Sequence, residues 1–595
     1  MATQAELPTR LSAQVISTIS DYSRIDTTPS QAALGVITAT KGPIDELQLI
    51  QTPSALIATF GEPTEDHYGL VGAYKIISSG VAMYLVRVAG ESVSAASAAI
   101  SGTRNAPVLG AVTGDSGNPQ DATCTLSGES LPSGIEGSYT LSAVVNENVL
   151  TWSCDCGGVS IPVTVSGGSL TLEGTGITAT VNNTTDAQSW TFSVTLSQDS
   201  SAANVVLTTK DKGTYYNNYS VSVVAGTGAG LYDIILKLDG LRKAAYSVSL
   251  NPESENYILD LDADEFTVTL AEEGVIPTVL TPTASDIEFE GGDDGLSDIT
   301  SDDYIGVRNP ETGEATGSKL FMQPQVVAQM YPSLGFHGKD YCNAMKAVSE
   351  EKKFITCVFD PPTELTLSNV IKWINNEGSY ENDQVLEGWM CETYWPWLND
   401  TYSGYPLVMP PSVYVTINSM ASFRNVGPQL PVAGNPRGII SGVGVTTQLP
   451  AVTDRDRLVT NRINPIYDTG TEGVQIYGNE TLNNDYTDLR SAHIGRMLAQ
   501  IVWQINSFTK TLTFELNDAL TWQQWIDGAT KILQSYKDKR GLNWFGLKMG
   551  LDTTTASEIA QRQIRGQIGL QFVQDAEVFW LDYAVFASSA ASIDF

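Results

Sequence analysis

Residues 32–88, AALGVITATKGPIDELQLIQTPSALIATFGEPTEDHYGLVGAYKIISSGVAMYLVRV, decide the fold class. AALGVITAT is a short apolar run that reads as a strand, and the KGP behind it reads as a turn. TPSALIATFG reads as a helix stopped by Gly61. In YGLVGAYKIISSG, Leu70, Val71, Tyr74 and Ile77 fall at helical spacing and Gly80 ends the run. VAMYLVRV then reads as a buried strand. Strand, helix, helix, strand is the opening of an α/β layer structure.

Outward from this stretch the composition changes. Towards the N-terminus, residues 1–28 read as an arm, with Leu11, Ala13, Val15 and Ile19 at odd positions among Ser, Gln and Thr. A frayed terminus gives the same weak pattern. Residues 29–100 are the first part of an α/β core. From 101 to 203 the chain is Gly, Ser, Thr and Val with little helix signal, and YTLSAVV, ITATVNN and WTFSVTL alternate as in a small β-sandwich. A second β-rich region spans 204–290. The acidic GGDDGLSDITSDD (291–303) reads as a linker into an α/β region at 291–460.

The last region, 461–595, carries the clearest helix signals. Ile494, Met497, Leu498, Ile501, Ile505 and Phe508 form one apolar face. Thr521 to Gln524 has the spacing of a capping box, and Trp522, Trp525, Ile526, Ala529, Ile532, Leu533 and Tyr536 continue that helix's stripe. GQIGLQFV and AEVFWLDYAVF are β-prone. The fold class expected is therefore α/β plus β, in several domains, with extended terminal strands.

Composition narrows the function. At 595 residues the chain has room for about four domains of roughly 150 residues each. A formal net charge of -34 repels phosphate backbones, so nucleic acid is not an expected partner. No stretch offers the roughly 20 apolar residues of a membrane span, and the start shows no signal-peptide pattern. Membrane insertion is not expected. Six cysteines in so long a chain read as reduced thiols of a protein made in a cytoplasm.

Motifs for chemistry are sparse. His67, His337 and His493 match no zinc spacing, and neither a G-x-S-x-G elbow nor a G-x-x-x-x-G-K-[ST] loop is present. Cys154 and Cys156 are a lone C-x-C without a second pair. Gly226, Gly228 and Gly230 sit between two strand-like runs and read as a hairpin turn. Asp260, Asp262 and Asp264 begin like a calcium loop, but Glu265 occupies the glycine position and Ala271 the closing one. Asp293 and Asp294 offer oxygens for at most a loose cation. The expectation is no enzyme, no catalytic residue, no metal and no cofactor.

Several segments resemble the contractile phage tail sheath family, in that family's order. They are ALGVITATKGP (33–43) with MYLVRVAG (83–90), KDKGTYYNNYSVSV (210–223), EGGDDGLSDITSDDYIG (290–306) and VFDPPTELTLSNVIKW (358–373). MPPSVYVT with GNPRGIISGVGV downstream follows, then NRINPIYDTGTEGVQIYGNETL (461–482), TFELNDALTWQQW (513–525), LNWFGLKMG and AEVFWLDY. Two of these stretches depart from the family. Asn479-Glu480 stands where the family has a small residue and Arg, which bears on a local salt bridge of that turn. LKMGLDTTTASE lacks some family acids and prolines. Residues 101–203 have no counterpart and read as an outer inserted domain.

The resemblance implies a structural subunit that forms a helical homo-oligomer around a tail tube protein, in a virion or a phage-derived injection system assembled in the host cytoplasm. Baseplate and tail terminator or neck proteins would be further partners, and contraction would drive the tube through the host envelope to deliver a genome. It also implies strands exchanged through terminal arms, for which Leu11, Val15 and Ile19 and then Phe579, Leu581 and Tyr583 are the candidates. Lys537, Lys539 and Arg540 are candidates for meeting acidic groups on the tube; a solvated helix end whose cations offset the helix dipole is the other reading. A tail-surface adhesin or carbohydrate-binding module, built on the β-rich middle, is the alternative function.

Overall fold

The computed structural model describes residues 32–576 apart from 129–134, 147–148, 229, 353–354 and 486. Two units divide the chain: Met1–Ala39, Pro43–Gly90 and Asp298–Phe595 form one, and Thr40–Gly42 with Glu91–Ser297 form the other. Mixed sheets with helices make up the first, and β-strands dominate the second.

A nine-stranded sheet organises the first unit. Its strands are β1 (Ala32–Ile37), β2 (Leu47–Ile50), β3 (Ala82–Arg87), β4 (Met330–Pro332), β5 (Thr356–Phe359), β6 (Cys391–Trp395), β7 (Ile439–Ile440), β8 (Asn464–Asp468) and β9 (Val474–Ile476). They lie in the order β2-β3-β1-β4-β5-β6-β8-β9-β7. The six strands from β3 to β8 run parallel, and antiparallel pairings close the two edges.

Parallel strands need cover on both faces, so their sequences are continuously apolar. β1 shows why. Ala33 and Ile37 point into one core with Met83 and Leu85, while Ala32, Leu34 and Val36 point into the other with Val86. Helices α1 (Pro53–Phe60) and α2 (Tyr68–Ser78) supply Leu56, Phe60, Leu70 and Ile76 to the first core. Thr52 caps α1 by accepting from the Ala55 N–H, and Gly61, in a left-handed conformation, ends it.

Later helices continue the cover: α3 (Lys339–Lys352), α4 (Leu367–Asn375), α5 (Pro411–Asn425) and α6 (Val452–Thr460). The Pro-Pro pair of MPPSVYVT starts α5, with Pro411 in its first turn, where proline lacks no needed donor. Its N-terminus is held by Asp360 at the end of β5. This fully buried carboxylate accepts from Ser412 N–H (2.9 Å) and Oγ (2.5 Å), Ser333 Oγ (2.7 Å) and Gly335 N–H (2.9 Å).

The second unit has two separate cores. One collects Ala96, Ile100, Val205, Val221, Ile234, Phe266 and Phe289. The other lies between a seven-stranded and a four-stranded sheet, with Leu141, Trp152 and Trp190 from the first meeting Leu170 and Ile177 from the second. Gly226–Gly230 spans the tight connection between antiparallel strands Tyr219–Ala225 and Leu231–Leu238, as its spacing predicted.

The stretch read as a linker is fastened instead. Asp294 is buried and accepts from Thr214 N–H (2.7 Å) and Oγ (2.6 Å), while Asn217 and Gly292 exchange two hydrogen bonds of 2.9 Å. Gly213 is required at this clasp: its φ is 136°, and a Cβ there would sit 2.1 Å from the Thr40 carbonyl oxygen. Thr300 and Asp303 then form a capping box at the short helix Ser301–Ile305.

One buried ion pair joins the sheet to the C-terminal helices. Helix α7 (Ala492–Thr511) places Arg496 against Glu392 of β6, Nε to Oε1 at 2.8 Å with Nη2 closing a second bond to Oε2. The Tyr394 hydroxyl accepts from Nη2 at 3.0 Å and donates to Glu392 at 2.8 Å. Both charged side chains are at most 2% exposed. Removing one partner of a buried pair strands the other charge, so Arg496→Ala is expected to cost about 3–5 kcal/mol in urea unfolding. The double variant Arg496→Met, Glu392→Met is expected to recover most of that loss.

Candidate functional site

After α7 the chain reverses into α8 (Ala519–Asp538) and then a hairpin, β10 (Leu542–Met549) and β11 (Gly566–Phe572). Met497, Ile501, Ile505 and Phe508 of α7 pack on Trp525, Ala529, Ile532, Leu533 and Tyr536 of α8, as the apolar stripes predicted. Leu498, placed in the same stripe, is only half-buried. Gly528 lets the helices approach, because a Cβ there would fall 2.1 Å from the Phe508 ring. The cap of α8 is a correction. Asp518 accepts from Leu520 and Thr521 N–H groups (both 3.0 Å), so Thr521 is inside the helix and not its cap.

The hairpin rests its inner face, Phe545, Leu547, Leu570 and Phe572, on this two-helix core. Two strands alone are marginal, so the helices supply their support. Each strand pairs only with the other, so neither outer edge has a partner strand among the described residues. Trp544 (54% exposed) and Ile568 (39%) lie in the solvent-facing part.

A groove of about 1010 Å³ opens at the end of α7 and α8 opposite their turn. Arg437, Arg455, Lys539 and Arg540 bring four cations to it, against Asp456 and Asp575. Arg455 is held by the carbonyls of Leu449 (2.7 Å) and Pro450 (3.2 Å), with its guanidinium 4.3 Å from the Tyr467 ring centroid. Arg437 donates to the Pro431 carbonyl at 2.7 Å.

His493 forms the floor. Asn479 Nδ2 donates to its Nδ1 (2.8 Å) and to Asp575 (3.0 Å), Asn479 Oδ1 accepts from the His493 N–H (3.1 Å), and Nε2 faces the Val573 carbonyl at 3.5 Å. Burial holds the imidazole pKa below its usual 6.5, with Arg496 acting the same way and Asp575 and the Val573 carbonyl against it. Next to it, Glu480 pairs with Arg490 at 2.5 Å, so the turn that departs from the family pattern at Asn479-Glu480 has a salt bridge of its own.

Of the expected site residues, Leu11, Val15, Ile19, Phe579, Leu581 and Tyr583 lie outside the described residues. Lys537, in the last turn of α8, and Lys539 and Arg540, just beyond it, are all exposed. The structure separates them: Lys539 and Arg540 line the groove, whereas Lys537 stands over the Phe545 ring at 5.9 Å. Arg437, Arg455 and His493 were not singled out as a set, because they come from three distant segments and share no spacing. Among the described residues no three His, Cys, Asp or Glu side chains gather as a metal site requires, and no helix is long and apolar enough to cross a membrane.

Since the unfolded histidine takes up a proton that the folded one resists, stability is expected to be level above about pH 6.5 and to fall below it. The slope is at most about 1.4 kcal/mol per pH unit. Urea midpoints compared at neutral and mildly acidic pH check this, and His493→Gln is expected to remove the acid-side slope.

No family model matches the chain. The tail sheath protein of Enterobacteria phage T4 is 22% identical over 240 residues, 38% of this chain and 35% of that protein, so the match spans about a third of the relative's length. Among solved structures, the sheath tail protein from Desulfitobacterium hafniense superposes with a TM-score of 0.50 at 11% identity, covering 90% of this chain and 93% of that one. The sheath of an extracellular contractile injection system in its contracted state gives 0.38 at 20% identity over 43% of this chain and 70% of that one. The fold is that of a sheath tail protein, and the sequence resembles a contractile tail sheath.

Proposed function

From the sheath fold we propose that this chain is the structural subunit of a contractile tail sheath, a helical cylinder around a tail tube, with no catalytic role. The observation that carries this reading is the open hairpin β10–β11, a small sheet braced from behind whose two outer edges pair with nothing among the described residues. Such an edge is a template for a strand from another chain. The arm at residues 1–28, centred on Val15 and Ile19, and the terminal strand around Phe579, Leu581 and Tyr583 are the strands assigned to neighbouring copies' hairpins.

Main-chain hydrogen bonds made this way survive while the rigid units rotate and slide, so a lattice can shorten without coming apart. The extended cylinder is a kinetic trap, and the contracted one buries more interface. No nucleotide is needed, because the free energy is stored at assembly. In the particle, contraction drives the tube through the host cell envelope for genome delivery, with the baseplate and the tail terminator or neck at the cylinder's ends. Assembly takes place in the host cytoplasm. Of the basic cluster, Lys537 is assigned to acidic groups on the tube, because it alone stands clear of the groove.

Deletion of residues 1–22 is expected to leave folded monomers that form no cylinders by negative-stain electron microscopy; normal cylinders overturn the arm assignment. Lys537→Glu is expected to weaken co-sedimentation of the sheath with its tube while leaving the monomer's melting curve unchanged.

A further inference from the structure

The turn between α7 and α8 and the groove at their far end are complementary. Every residue of TFELNDAL (513–520) is exposed. Phe514 stands fully in solvent at 103%, with Leu516 at 76% and Leu520 at 67%. The turn presents these side chains from a braced backbone. Phe514 has φ 75°, which sterics disfavour for a bulky residue. It is held there by hydrogen bonds from Glu515 N–H to the Leu512 carbonyl (3.2 Å) and from Asp518 N–H to that of Leu516 (2.9 Å). Asn517 ties the turn down, accepting from Trp522 Nε1 at 2.8 Å and donating to the Gln563 carbonyl at 3.3 Å.

The two features are opposite in charge. The turn carries Glu515 and Asp518 and has no cation between Lys510 and Lys531. The groove gathers four cations against two carboxylates in a chain with 33 basic and 67 acidic residues. Among its lining residues Val452 (60% exposed) and Tyr477 (49%) offer apolar surface.

The two features cannot meet within one molecule. His493, at the start of α7, lines the groove, and the turn follows the other end of that 20-residue helix, about 30 Å away. Helix α8 returns over the same distance to Lys539. We propose that the turn of one copy docks in the groove of a second copy, with Phe514 and Leu516 against Val452 and Tyr477 and Glu515 among Arg455, Lys539 and Arg540.

The contact joins unlike surfaces, so wherever it is not reciprocated in a two-fold pair it propagates from copy to copy into a ring or an open helix. It rests on the assembly reading in that copies must meet, but it needs neither the terminal arms nor a tube. It also gives Lys539 and Arg540 a partner within the assembly.

The test uses full-length protein in two batches, one with Phe514→Cys and one with Val452→Cys, mixed under mild oxidation from dilute solution up to about 1 mM. The expected result is a disulfide-linked dimer at least about tenfold more abundant in the mixture than in either batch alone. Salt screening and Lys539→Glu are expected to weaken the band, and Glu515→Lys on the opposite chain to restore it.

Absence of any excess mixed dimer at the highest concentration overturns the proposal. So does a Val452→Cys thiol that resists alkylation in dilute protein until residues 577–595 are removed, because the chain's own end then fills the groove. The readout is a dimer band, so it reports whether or not cylinders form, and its failure is separable from failure of the arm assignment.

Discussion

The bond between Arg496 and Glu392 fixes where the C-terminal helices stand on the sheet. A guanidinium fork on a carboxylate admits one geometry, and both groups are sealed from water with Tyr394 completing the set. Apolar residues could hold α7 against β6 with comparable free energy, but they would tolerate sliding along the helix axis. The charged pair does not. His493, one turn before Arg496, is thereby set into the groove, and Met497, just after it, is set into the core under the hairpin. One buried contact thus positions both surfaces proposed to meet other copies.

Local patterns made the first unit's opening legible. β1 and β3 announce themselves as unbroken apolar runs, and α1 and α2 as periodic runs closed by glycine. Strand β2, LQLI, went unread because four residues of an edge strand carry too little pattern beside a stronger helix signal. The α8 cap was misplaced by three residues: a Thr-x-x-Gln pattern was present, but Asp518 is the better acceptor and Ala519 and Leu520 are good helix formers. The supposed linker illustrates a different limit. Glycine and aspartate mark a turn in sequence, and only tertiary partners such as Thr214 and Asn217 show that the turn is clamped.

The candidate surfaces were half legible. Strand β11 could be read from its β-propensity, whereas β10 stood out only in the family resemblance and EVFWLDYAVF (577–586) lies outside the described residues. An edge without a partner among the described residues is a property no strand's own sequence carries. The groove was invisible, since Arg437, Arg455, His493 and Lys539 converge only after four segments have packed. Lys539 and Arg540 stood out in sequence because cations are scarce here, but scarcity could not reveal that the cluster divides, Lys537 standing over Phe545 and the other two lining the groove.

The pairing of β1 with β4 has a consequence during synthesis. Ala33 lies opposite Met330, so the central sheet waits for roughly 300 further residues after its first strand is made. At about 5–20 residues per second, that is an interval of about 15–60 s in which an apolar parallel edge has no partner on the ribosome. The second unit is made wholly within this interval, and its two cores draw only on residues it already contains. The sheet therefore closes late, and the helices carrying the groove and the hairpin can dock only after it does. A nascent chain consequently has neither a finished groove nor a braced hairpin until nearly all of it has been translated.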